Sequence, residues 1–309
     1  MRHCYPITEW TDTPENDTYH SLHHHGVAVE SELMAYRIYF DRKQTIDPYC
    51  KRTPQLELAQ SHWYPNDSLL TLGYGDDILR VSGTVGVGSV KFWNGTKHVH
   101  IEPVAERSQR IVSSKKDQAT IEVAVKGWTP ALPEDQKTSR PVDLTTRYTM
   151  KAGHRDMRCD VSLSEPVEGL CTGVQTIPAK GGDIQHSTFN IQLENGVLLA
   201  SWGTDWPVND SAKYAKETVG LAVFIPQPYA GDIVRDKQNL LCLLKSVSPK
   251  DGLSVQRSVS DNGLSGEAGR EATCHFYLTC CGASKENHPV ATTAEEWLAY
   301  LRKWAKGLK

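Results

Sequence analysis

The sequence contains no apolar run approaching the roughly 20 residues that a bilayer-spanning helix requires, so a membrane partner is not expected. It has no dominant charge: 34 Lys and Arg stand against 37 Asp and Glu, scattered along the chain. That balance lacks the basic stripe of a nucleic-acid binder. None of the eight cysteines form a C-x-x-C pair, so no zinc or redox motif is signalled. A chain of 309 residues buries a large core without disulfides, and free core thiols are the expectation. No G-K-[ST], G-x-S-x-G or H-E-x-x-H occurs, which removes support for P-loop, serine-hydrolase and zincin classes. The N-terminal M-R-H-C-Y-P-I-T-E-W lacks the apolar core of a signal peptide. The chain therefore reads as cytoplasmic, or as a mature or excised piece.

What is present is strand. Short runs alternate apolar and polar residues and break at Gly, Pro, Asn and Asp. Ala119–Val125, Val142–Met150, Met157–Leu163 and Ala272–Cys280 are the clearest. Val197–Ser201, Val219–Ile225, Leu240–Lys245 and Leu253–Val259 follow the same rule. Glu194-Asn195-Gly196 between apolar runs signals a hairpin. Many strands at short spacing argue for an all-β sandwich or barrel rather than βαβ units. One helix is predicted from about 293 to 306, where Thr293-x-x-Glu296 makes a capping box. Ala294, Trp297, Leu298, Leu301, Trp304 and Ala305 form its apolar stripe. That stripe must dock on the β body. No linker or repeat divides the chain, and a single domain over residues 1–309 is expected. Thr129–Pro141 reads as a long exposed loop.

Chemistry concentrates in four places. Leu22 to Asp41 packs three histidines, two glutamates, an arginine and two tyrosines into what reads as one strand and its entry turn. Alternation puts Tyr36, Ile38 and Phe40 on one face and Arg37, Tyr39 and Asp41 on the other, with Glu30 on the Tyr36 face if the strand is regular. His24 or His25 can serve as a general base or metal ligand. The second place, Leu72 to Lys91, frames Asp76 and Asp77 with glycines. Those carboxylates suit sugar hydroxyls or a cation, Tyr74 can stack on a sugar face, and Lys91 is read as substrate-binding. In the third, His98, His100 and Glu102 share a face if Lys97–Glu102 is a strand, with exposed polar surface as the alternative to a metal site. In the fourth, Trp202 and Trp206 flank Asp205 as a carbohydrate subsite or as core packing. His154-Arg155-Asp156 reads as a turn.

The runs H-H-H-G-V-A-V-E-S-E-L-M-A-Y-R-I-Y-F-D-R-K-Q-T-I-D, G-Y-G-D-D-I-L-R-V-S-G-T-V-G-V-G-S, V-H-I-E-P-V, C-T-G-V-Q-T-I-P and E-E-W-L-A-Y-L-R-K-W-A resemble the domain-of-unknown-function family numbered 4861, common in polysaccharide-degrading Bacteroidota. The resemblance runs from about His23 to Ala305. It implies a galactose-mutarotase-like β-supersandwich and a carbohydrate context, with relatives beside or fused to unsaturated-uronyl hydrolases of pectin breakdown. It also implies a periplasmic or secreted location. Cys50 stands where relatives are expected to carry glycine. No catalytic role is inherited from the family.

The resulting expectation is a carbohydrate-active enzyme on uronic-acid-containing glycans or their oligosaccharide products, by lyase, isomerase or hydrolase chemistry. Arg37 is the expected clamp for the sugar carboxylate. His24, His25 or Tyr39 supplies the acid or base, and Glu30, Asp76 and Asp77 hold hydroxyls or complete a carboxylate pair. Tyr36, Tyr74, Lys91, Trp202 and Trp206 contact substrate. No cofactor is expected, a divalent cation being the alternative. The rivals are a non-catalytic carbohydrate-binding module with Tyr74, Trp93, Trp202 and Trp206 on an open face, and a structural accessory domain whose polar residues pair off internally.

Overall fold

The computed structural model describes residues 2–3, 9–12, 22–130, 140–178, 187–209, 211–212, 214–246 and 272–308. In chain order the strands are β1 Arg2–His3, β2 Glu9–Asp12, β3 Ala28–Glu30, β4 Met34–Ile38, β5 Ile46–Cys50, β6 Lys91–Trp93, β7 His98–Val99, β8 Glu106–Ser114 and β9 Gln118–Trp128. They continue with β10 Val142–Lys151, β11 Met157–Leu163, β12 Leu170–Gln175, β13 Thr188–Leu193, β14 Gly196–Asp205, β15 Glu217–Pro226, β16 Ala230–Arg235, β17 Asn239–Leu244 and β18 Ala272–Gly282. A short helix α1, Asp67–Thr71, and the terminal helix α2, Ala294–Lys306, complete the set. The expected strand at Leu253–Val259, Cys4 and most of the loop Thr129–Pro141 lie outside the described residues.

Nine strands form one antiparallel sheet in the order β13-β14-β15-β18-β11-β10-β9-β8-β2. A four-stranded sheet, β1-β3-β4-β5, and a five-stranded sheet, β16-β17-β12-β6-β7, are separate. Burial alternates along β10 and β11, so Leu144, Tyr148, Val161 and Leu163 point into the core while Asp143 and Arg147 point out. One apolar cluster joins Tyr148 and Phe276 of the large sheet to Tyr36 and Ile46 of the four-stranded sheet and Val174 and Leu240 of the five-stranded one. The fold is thus an all-β sandwich, in which the two small sheets cover one face of the large sheet.

The other face explains why β14 and β15 read as continuous apolar runs. Val197, Leu199, Leu221 and Val223 face the main core, while Leu198, Ala200, Ala222 and Phe224 face α2. Helix α2 buries Trp297, Leu301 and Ala305 there. Thr293 accepts a hydrogen bond from the Glu296 amide at 3.2 Å, as the capping box requires. The Glu296 carboxylate reaches one residue further back than expected, to the amide and hydroxyl of Thr292, both at 2.8 Å. The two-residue turn at Glu194 and Asn195 joins β13 to β14, and the Asn195 side chain donates to the Ala305 carbonyl at 3.0 Å. Gly220 lets the indole lie against β15, because a Cβ there would stand 2.7 Å from Trp297 Cε2. Gly220→Ala is expected to cost about 1–3 kcal/mol by overpacking, read as a lower denaturation midpoint with unchanged slope. An unchanged midpoint would mean that α2 shifts freely.

Cys50, Cys159, Cys171, Cys242, Cys274, Cys280 and Cys281 are buried and unbridged. Cys50 ends β5 and lies against Gly282, not in a turn. Among the described residues no helix is long and apolar enough to cross a membrane.

Candidate functional site

The stretch from Leu22 to Asp41 is two strands, not one. Ser31 accepts hydrogen bonds from the amides of Leu33 and Met34 at 3.0 and 3.3 Å and closes a turn between β3 and β4. The register pairs Ala28 with Arg37, Val29 with Tyr36 and Glu30 with Ala35. Paired residues share a face, so Glu30 lies on the Arg37 face and the alternation predicted across the turn fails there. Strand β5 then places Asp47 directly opposite Arg37. The glycine-framed block reaches the same strand through a bridge between Tyr49 and Asp77. Gly75 permits this approach, since a Cβ there would sit 1.7 Å from the Cys50 carbonyl oxygen.

Arg37 is fully buried where the two blocks meet. Its Nη2 donates to Oδ2 of both Asp47 and Asp77, the latter at 2.7 Å, and its Nη1 donates to the Trp63 carbonyl at 2.8 Å. The guanidinium also lies 5.3 to 5.9 Å from the ring centroids of Tyr39, Tyr49 and Tyr64. The Tyr39 hydroxyl donates to Asp47 Oδ2 at 2.5 Å. One buried cation thus serves two carboxylates. Burial pushes the Asp77 carboxyl well above the ordinary carboxylate range, and the nearby Asp47 charge adds to this. Burial raises Asp47 too, against the pull of Arg37. Burial of two carboxyls beside one cation favours a proton on one of them, which would leave the cluster neutral.

A half-open cleft of about 600 Å³ lies above this cluster. Tyr39, Tyr64 and Asp77 line it, together with the cations Lys43, Arg80 and Lys237 and the carboxylate Asp205. Of the residues expected to carry chemistry, Tyr39 and Asp77 line the cleft. Arg37 sits beneath it, fully buried, with Nη1 and Nη2 on Trp63, Asp47 and Asp77, so the expectation that it clamps a ligand carboxylate is replaced by a role in holding Asp47 and Asp77. His24 has no exposure. Its Nε2 donates to the Leu58 carbonyl at 3.0 Å, and burial, with Arg37 adding to it, lowers its pKa to about 3. His25 stacks on Trp63 at 4.6 Å and meets the edge of Tyr39. Neither histidine lines the cleft. Glu30 accepts from Lys51 Nζ and from the amides of Glu57 and Leu58 at 2.8 and 3.2 Å. Glu57 in turn accepts from the Gly75 amide at 2.9 Å. Glu30 therefore fastens the loop beneath the Asp77 segment.

The remaining expected contacts lie elsewhere. Tyr36 is in the core, donating to the Arg155 carbonyl at 2.7 Å. Asp76 is buried against Lys285 at 3.2 Å. Tyr74 is half-buried in the loop after α1. Trp202 packs toward Trp297 of α2, with centroids 6.4 Å apart, so packing is the alternative that holds there. Trp206 is half-buried beside Lys216, with its flanking residues Asp205 and Pro207 in the cleft wall. Strand β7 is only two residues long, and His98, His100 and Glu102 take separate partners: Asp236, Lys91 and Arg42. Among the described residues no group of three His, Cys, Asp or Glu side chains is placed to hold a metal ion.

Lys91 is fully buried, not in the cleft wall. Its Nζ donates to the Lys43 carbonyl and lies 3.3 Å from Thr45 Oγ1 and 3.4 Å from His100 Nδ1, so it braces the turn that carries Lys43. Burial lowers its pKa to about 7, against a reference near 10.4. The penalty for burying the ammonium is full below about pH 7 and fades as pH rises toward about 10.4. The melting temperature of Lys91→Met relative to the native chain should therefore fall as pH goes from 6 to 10. A difference that stays constant with pH would show that the ammonium carries no burial penalty.

Asp205, read from sequence between Trp202 and Trp206, does line the cleft, whereas Lys43, Asp47, Tyr64, Arg80 and Lys237 were not singled out from sequence. The signal for Asp47 was the hairpin register, in which a carboxylate opposite Arg37 is a cross-strand ion pair. The other four come from separate loops and carry no shared local pattern.

The family described as Domain of unknown function (DUF4861) matches residues 4–309, and the chain belongs to it. No curated protein matches. Among solved structures the chain is similar to the GH36 alpha-galactosidase AgaB from Geobacillus stearothermophilus, at 10% identity and TM-score 0.33, covering 84% of this chain and 40% of that one. It is also similar to an AgaA variant of the same organism solved with raffinose, at 10% identity and TM-score 0.31, covering 84% and 41%. A third is a galactose mutarotase related enzyme from Lactobacillus acidophilus, at 10% identity and TM-score 0.29, covering 82% of this chain and 96% of that one. The chain spans about two fifths of the length of the two alpha-galactosidases.

Proposed function

We propose that this member of the DUF4861 family binds a uronic-acid-containing oligosaccharide in the cleft and acts on it by acid–base chemistry of the lyase, isomerase or hydrolase type. The observation that supports this reading is the convergence of a protonatable carboxyl, two tyrosines and three cations in one cleft. Tyrosine rings suit the C–H faces of a sugar, and cations suit its carboxylate. Asp77 faces the cleft, and its raised pKa keeps it protonated further toward neutral pH, as a general acid needs. The Tyr39 hydroxyl, tied to Asp47, is the second proton-carrying group at the cleft. The test is incubation of the chain with a panel of uronic oligosaccharides, read by mass and by absorbance of unsaturated products. New products are expected; binding without conversion of any of them would overturn the catalytic part.

The second reading, a non-catalytic carbohydrate-binding module, is favoured by one observation: none of the three histidines of the first block lines the cleft, nor does Arg37. The same panel separates the readings, because a module retains affinity and releases no product.

A further inference from the structure

The three cations of the cleft differ in what already holds them. Lys43 Nζ lies 3.1 Å from Asp41 Oδ2. Arg80 donates to Asn209 Oδ1 at 3.0 Å and lies 3.8 Å from Asp205. Lys237 is exposed and has no side-chain partner among the described residues. A ligand carboxylate that pairs with Lys43 or Arg80 must compete with an existing partner. One that pairs with Lys237 displaces only water.

Lys237 is nevertheless held in place by its backbone. It lies in the turn between β16 and β17. The Asp236 carboxylate on one side of it accepts from the Gln238 amide and the Asn239 side chain, both at 2.9 Å. The same carboxylate accepts from the His98 amide at 3.2 Å and lies 2.5 Å from His98 Nδ1. The opposite ring nitrogen of His98 lies 2.8 Å from the Gly83 carbonyl, and Asn239 Oδ1 accepts from the Val85 amide at 3.0 Å. Ser82 and Thr84, on either side of Gly83, line the cleft. His98 and Asp236 therefore tie two walls of the cleft together directly beneath Lys237. Burial opposes ionisation of Asp236, but the hydrogen bonds from His98, Gln238 and Asn239 outweigh it and hold the carboxyl below its ordinary range.

We infer that Lys237 is the residue by which the cleft selects a carboxylate-bearing sugar over its neutral counterpart, and that Asp236 and His98 are its positioning residues. The inference rests on the sugar-binding reading above. The Lys237 ammonium has no partner among the described residues to give up and its turn is already fixed, so its charge is expressed as selectivity. In a half-open cleft that contribution is screened by salt.

The probes are trisaccharides of galacturonic, glucuronic or mannuronic acid and their methyl esters, titrated calorimetrically against the full chain. Esterification removes the negative charge and keeps the ring and its hydroxyls. The native chain is expected to bind one free acid about tenfold more tightly than its ester, with the margin shrinking as salt is added. Lys237→Met should lose that preference while its affinity for the ester stays native, and Lys43→Met should keep it. His98→Gln should weaken the preference with affinity for the ester retained, which a merely structural role would not do. A preference that survives in Lys237→Met, or is lost in Lys43→Met as well, overturns the assignment. Equal binding of acid and ester by the native chain overturns the inference alone. Binding of neither form of any sugar overturns the sugar reading, and the inference with it.

Discussion

Arg37→Met should lower stability by about 3–5 kcal/mol, because it leaves two carboxylates buried without their cation. Against the 5–15 kcal/mol that usually separates folded from unfolded chains, this is a large fraction, equivalent to about 10 °C in melting temperature. Arg37, Asp47 and Asp77 have side-chain exposures of 0%, 0% and 3%, so solvent cannot substitute for the lost partner. The deficit should depend on pH. Without the guanidinium both buried carboxyls favour the protonated form more strongly than in the native chain; the unfolded chains titrate alike, so the loss is small while both folded forms are protonated and grows as the pH rises through the native chain's raised folded values. Adding Asp47→Asn to Arg37→Met should return part of the stability. Arg37→Lys keeps the charge but lacks the planar fork that reaches Trp63 and both carboxylates. It should lower the melting temperature as well, which a lysine replacing a ligand clamp at the cleft surface would not do. A native melting temperature in Arg37→Met would show that Asp47 and Asp77 do not depend on it.

The second large effect concerns Asp77→Asn. The substitution is isosteric and leaves one cation opposite one carboxylate; it keeps an acceptor for Arg37 but sets its NH2 against the Leu79 amide that donates to Oδ1 at 3.0 Å, so the fold should be retained with a lower melting temperature. The amide cannot deliver a proton. Turnover on a uronic oligosaccharide converted by the native chain should fall on the order of 10²-fold or more with affinity little changed. Undiminished turnover would remove Asp77 from the chemistry and leave Tyr39 as the cleft-facing candidate. The histidines invite the opposite expectation. His24 is neutral and donates to the Leu58 carbonyl, so His24→Ala should reduce stability first and rate only through it.

Much of the fold was legible in the chain because it is local. Alternation in β10 and β11, the two-residue turn at Glu194 and Asn195, and the capped stripe of α2 are set by side-chain period and turn chemistry within a few residues. The two blocks that build the site also stood out, because ionisable residues crowded beside apolar ones are expensive to bury and so mark a place where partners must be close. The sequence by itself therefore determined an all-β body, a docked terminal helix and the two segments that meet. Tertiary structure alone decided which charges face solvent. The turn at Ser31 moved Glu30 to the Arg37 face, the register of β4 on β5 gave Arg37 its partner Asp47, and segments far apart in the chain brought Arg80, Asp205 at the end of β14, and Lys237 to one cleft. Each of these depends on distances between segments remote in sequence, and burial, which turns a charged side chain from a ligand clamp into a buried strut, is a property of those distances.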